Sequence, residues 1–96
     1  MTAAGVRRTR AEYAQTIVTE KQRFDAHMAD SRAKWNESAV AASRGEFRRA
    51  RDTARLAFRS SEFAHSAYQR MLAEQEGALK DYGTTNPEDL GGERDS

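Results

Sequence analysis

The only proline in this chain is Pro87. Everything before it lacks the one side chain that removes a helix hydrogen bond and clashes with the preceding turn. The sequence can therefore hold helices of unusual length, and the question becomes where they start, turn and stop.

Thr9-Arg10-Ala11-Glu12 has the form of a capping box, in which the threonine hydroxyl and the glutamate carboxylate satisfy each other's backbone amides. It predicts a helix from about residue 9. Behind it, Tyr13, Ile17, Phe24, Met28, Trp35 and Ala39 recur at steps of 4, 7, 4, 7 and 4. That is an eleven-residue repeat, which keeps an apolar stripe nearly straight along a helix. A helix over 9–42 would be roughly 50 Å long.

Ser43-Arg44-Gly45-Glu46 reads as a second capping box, now containing a glycine, and places a turn at 42–46. The alternative is one unbroken helix that tolerates Gly45 at about 1 kcal/mol. The second helix is expected over about 46–82. Its inward face is read as Phe47, Ala50, Ala54, Ala57, Phe58, Ser61, Ala64, His65, Tyr68, Leu72, Leu79 and Tyr82. Gly83 suits a left-handed cap, and Pro87 follows shortly after as a stop. Folded back about the turn, residue i faces residue 89 − i. This pairs Trp35 with Ala54, Phe24 with His65 and Ile17 with Leu72. The expected fold is all-α: an antiparallel helical hairpin over 9–83. A basic N-terminal arm, 1–8, precedes it, and a disordered acidic tail, 84–96, follows.

Composition narrows the chemistry. With no cysteine, disulfides, zinc–thiolate sites and thiol catalysis are ruled out. No run of 18 or more apolar residues is present, and Arg7 and Arg8 have no apolar stretch behind them, so a cytoplasmic protein without a membrane span is expected. A chain of 96 residues buries only about 60–65% of its unfolded surface. Two helices also leave bulky apolar residues uncovered. A homodimer forming a four-helix bundle is therefore expected.

Three groups of residues are candidates for function. Arg44, Arg48, Arg51 and Arg55 fall at i, i+4, i+7 and i+11, with Arg59 on the edge of the column. Such a column can meet an acidic protein surface or a phosphate backbone, or can simply be solvated. Leu56 and Phe63, bordered by Ala67, lie seven apart and away from the expected core, as a second apolar contact surface would. Glu62-Phe63-Ala64-His65 has the Glu-x-x-His spacing of helical metal sites, with His27 expected opposite. A buried, hydrogen-bonded histidine is the plainer reading, and no cofactor is expected.

In size and hairpin architecture the chain resembles the small helical secretion substrates that carry a Trp-x-Gly turn. Here Trp35-Asn36-Glu37 has glutamate in place of the glycine, and Asn86 stands four residues after Tyr82, where that family has an acidic residue. The resemblance implies the hairpin and nothing further. No Ser/His/Asp arrangement and no phosphate-cradling glycine loop is present, so no enzyme is expected. The sequence reads best as a protein–protein interaction module acting through long helical faces. The alternatives are a nucleic-acid-binding module using Arg44–Arg59 and a metal-binding bundle.

Overall fold

A computed structural model describes residues 8–90. Two long helices, α1 (Arg10–Ser43) and α2 (Phe47–Tyr82), pack against each other as a helical hairpin, and a short α3 (Pro87–Leu90) follows.

The helix ends follow local chemistry. At the start of α1 the Glu12 amide donates to Thr9 Oγ1 at 3.0 Å, and the Thr9 amide donates to Glu12 Oε1 at 2.8 Å, completing the capping box. The turn at 44–46 is real, but its chemistry differs from the expected second box. Ser43 Oγ donates back to the Val40 carbonyl at 2.7 Å instead of capping α2. Gly45 takes φ of +78°. The Gly45 amide donates to the Ala42 carbonyl at 3.0 Å and the Glu46 amide to the Ala41 carbonyl at 2.9 Å. This pair of bonds is a Schellman cap on α1, which needs a left-handed residue at the glycine position. At the far end of α2, Gly83 at φ +76° donates its amide to the Leu79 carbonyl, a single-bond left-handed cap.

Burial along the helices follows a heptad. On α1 the inward positions step 13, 17, 20, 24, 27, 31, 34, 38, 41; on α2 they step 50, 53, 57, 60, 64, 67, 71, 78. Tyr13, Ile17 and Phe24 belong to both this pattern and the expected eleven-residue stripe. Met28, also half-buried, still follows the stripe; beyond it the two diverge, and Trp35 and Ala39 turn outward.

The chain divides into two units by its contacts, one of residues 22–68 and one of residues 1–21 with 69–96. In the 22–68 unit the seam is lined by small side chains. Ala41, Ala50, Ala57, Ala64 and Ala67 are buried, with Ser31, Thr53 and Ser60 beside them. Small residues let two helix axes approach closely. The approach is close enough that Ser31 Oγ donates to the Ala57 carbonyl at 2.9 Å and Ser38 Oγ to the Ala50 carbonyl at 2.6 Å. Both bonds join residue i to residue 88 − i, within one residue of the expected register. Asp30 accepts from Lys34 at 2.6 Å and from the Ser60 hydroxyl across the seam.

The other unit has the apolar core. Tyr13, Ile17, Ala78 and Leu90 form a buried cluster, with Ala14, Met71 and Tyr82 packed against it. Tyr13 and Tyr82 meet edge-on at 6.1 Å between ring centroids. The Tyr13 hydroxyl donates to Asp81 Oδ2 at 2.8 Å, and the Tyr82 hydroxyl donates to the Arg8 carbonyl at 2.7 Å. Glu20, buried in this unit, accepts from Arg70 at 3.1 Å.

The start of the expected disordered tail is structured. Asn86 Oδ1 caps α3 by accepting from the Glu88 amide at 3.0 Å, Pro87 takes the first helical position, and Leu90 is fully buried. Residues 91–96 of that tail, and 1–7 of the basic arm, lie outside the described residues. Arg8 is engaged within the fold: it pairs with Glu74, donates to Thr16 Oγ1 at 2.9 Å and lies 4.9 Å from the Tyr13 ring centroid. Arg10 lies 5.0 Å from the ring centroid of Tyr82.

Candidate functional site

The small-residue seam has a consequence for the large residues of the 22–68 unit. A stripe centred on alanine and serine leaves the aromatic positions of α2 on its flanks. Phe47 is 71% exposed, Phe58 59% and Trp35 48%, and Leu56, Phe63 and Tyr68 are also exposed. The expected inward face of α2 is thus rotated by about a fifth of a turn from the real one. Ala50, Ala57 and Ala64 are inside as expected. Phe47, Phe58, His65, Tyr68 and Leu79 are outside, and Thr53, Ser60 and Ala67 take the inner places.

This rotation corrects one site residue directly. Ala67, expected beside Leu56 and Phe63 on a contact surface, is 0% exposed within the seam. Leu56 and Phe63 are at the surface, but they flank the seam instead of lying opposite it. The Phe63 ring sits 5.5 Å from the His27 ring, centroid to centroid. Near the turn, Leu56, Phe47 and Thr53 line a groove of about 730 Å³ with Glu46, Arg48, Arg49 and Asp52.

A second groove of about 530 Å³ brings Trp35 of α1 to Ala54 and Phe58 of α2, with Arg51, Arg55, Arg59 and Glu62 around them. Trp35 over Ala54 is the pairing the hairpin register predicts, yet the indole remains half in solvent. Phe24 meets Tyr68 at 6.2 Å between ring centroids.

All five residues of the arginine column, Arg44, Arg48, Arg51, Arg55 and Arg59, are exposed. They stand on the side of α2 turned away from the seam, and Arg51, Arg55 and Arg59 border the Trp35 groove. Arg51 donates to Asp52 at 3.0 Å, and nearby Arg49 stands 3.6 Å from Glu46. Exposed pairs of this kind contribute about 0–1 kcal/mol each. Arg55 and Arg59 make no ion pair among the described residues.

The metal candidates are not brought together. His65 stands on an exposed position and His27 beside Phe63, so Glu62, His65 and His27 do not share a centre. Among the described residues no three histidine, cysteine or acidic side chains are placed to hold a metal ion. The reason is again the rotation, which turns His65 out of the seam. Among the described residues no helix is long and apolar enough to cross a membrane.

No family model matches this chain, and no curated protein or solved structure is detectably similar to it.

Proposed function

We propose that this protein is a non-enzymatic interaction module that presents the flanks of its helical hairpin, within residues 22–68, to other proteins. One observation carries the reading: the seam between α1 and α2 there is closed by alanine, serine and threonine, while Trp35, Phe47, Leu56, Phe58 and Phe63 remain at the surface. Apolar side chains clustered on a surface mark contact sites, whereas single exposed ones do not. The two flanks offer two faces. On the Leu56–Phe63 side, where the charges near the turn are balanced, a second copy of the chain is a fitting occupant and would give the four-helix bundle.

The test is a photo-crosslinking residue placed at position 58 or 63 in host cells, with position 36, on the exposed outer face of α1, as control. The reading expects discrete crosslinked protein species from 58 and 63 that are absent from 36. Equal trapping at all three sites, or none at 58 and 63, contradicts it.

The exposed arginine column supports a second reading, a nucleic-acid contact. It predicts binding that weakens steeply with salt. Contact through an apolar helix face is far less salt-sensitive.

A further inference from the structure

At the groove bounded by Trp35, Ala54 and Phe58, apolar surface and unmatched charge coincide. We infer that this groove takes an acidic amphipathic helix from a partner protein, an inference that rests on the interaction reading above. Along α2 the lining residues Arg51, Ala54 and Phe58 step by three and four, the spacing of a helix-packing stripe. An occupant with apolar residues at the same steps would lie along the hairpin as a third helix, covering the exposed indole and the Phe58 ring.

Charge specifies the rest. Of the four charged residues lining the groove, three are arginines and one is Glu62. Arg51 is matched by Asp52, but Arg55 and Arg59 have no ion pair among the described residues, although they stand four apart on one helix. Like charges at that spacing repel, and a carboxylate set between them relieves the repulsion. On the opposite flank two acids and two arginines line the groove, so the need for an acidic complement is particular to the Trp35 side. A second copy fits this side poorly, because a twofold axis through the groove would set Arg55 and Arg59 against the same arginines of the other chain.

Trp35 is the sole tryptophan, so its emission reports on this groove alone. The probe is a synthetic helical peptide of about three heptads with leucine at the seam positions, glutamate on the flanks and no aromatic residue. Titrated into the full chain, it should shift Trp35 emission to the blue and saturate. The double variant Arg55→Glu, Arg59→Glu, checked for unchanged helicity, should bind it about tenfold or more weakly and should instead accept the same peptide with lysine flanks. The inference is overturned if the wild type binds the lysine-flanked peptide equally well, or binds a glutamate-flanked peptide with serine in place of leucine. It is also overturned if single-stranded DNA shifts Trp35 in competition with the acidic peptide. If no peptide acts but Trp35 emission moves to the red on dilution, a second copy covers the groove. The acidic-helix inference then fails while the interaction reading stands. If nothing moves it at any concentration, the inference fails and the crosslinking pattern alone decides the wider reading.

Discussion

The Tyr13 ring lies against the backbone of Gly77: a Cβ built at residue 77 would stand 2.9 Å from the tyrosine oxygen and 3.0 Å from Cε1. Gly77 is inside α2 and needs no unusual backbone angle, so its role is the space it leaves. On an open helix face, glycine to alanine gains about 0.8–1 kcal/mol. Here overpacking against the ring, typically about 1–3 kcal/mol, opposes that gain. Gly77→Ala is expected to lower stability by about 1 kcal/mol in urea melts. In a Tyr13→Ala background the same change should stabilise. A stabilised single variant would show that the close contact is absent.

The pH dependence of stability should have two separable limbs. The hydrogen bond from Lys34, then that from Ser60, holds the Asp30 carboxyl below its ordinary 3.8. A lowered folded value gives a contribution present above that pH and lost as pH falls through the folded value. The hydrogen bond to Asp81, then burial, raises the Tyr13 hydroxyl above its ordinary 10.0. That contribution is complete below pH 10 and is lost as pH rises through the folded value. Melting temperature should therefore fall at both ends. Asp30→Asn should flatten the acid limb and Tyr13→Phe the alkaline one. Unchanged limbs in both variants would contradict the two contacts.

Leu90 is expected to act as part of the core despite its place in an acidic, glycine-flanked stretch. Truncating a buried leucine to alanine costs about 2–5 kcal/mol. Leu90→Ala, measured by thermal unfolding, should fall in that range. A change within about 0.5 kcal/mol, typical of exposed sites, would mean the α3 contact does not hold.

Much of this was legible in the sequence. The first capping box, Gly45, Gly83 and the absence of proline place both helices to within a residue or so of Arg10–Ser43 and Phe47–Tyr82. The register follows from the turn alone. What was not legible was the face of α2 that turns inward. Periodicity weighted by side-chain size follows Phe47, Phe58 and Tyr68, but two helices in close contact select the stripe with the smallest side chains. Ala50, Thr53, Ala57, Ser60, Ala64 and Ala67 repeat as regularly as the aromatics do. Ala67 and His65 were misplaced for that one reason. Leu90 gave no signal, because a single leucine in a polar segment has no period.

The Leu56–Phe63 flank makes a prediction about assembly. Light scattering coupled to size exclusion should give about twice the chain mass of 10.8 kDa at micromolar concentration. Leu56→Glu with Phe63→Glu should shift it toward the single-chain mass while leaving helicity intact. A wild-type monomer at all concentrations would remove the dimer. A dimer indifferent to the double variant would move its interface off this flank.

The defining feature of the hairpin is the inversion by which small residues close it and aromatics stay outside. Its most direct measurement is a pair of melts at neighbouring positions, Ala57→Leu and Phe58→Ser, followed to low protein concentration. Ala57→Leu should lose about 1–3 kcal/mol by forcing the helices apart. Phe58→Ser should change stability by no more than about 0.5 kcal/mol once dilution has removed any contact between chains. If Phe58→Ser instead costs the roughly 3–5 kcal/mol of a truncated core aromatic at every dilution while Ala57→Leu is tolerated, the aromatics are the core and the proposed interaction face does not exist.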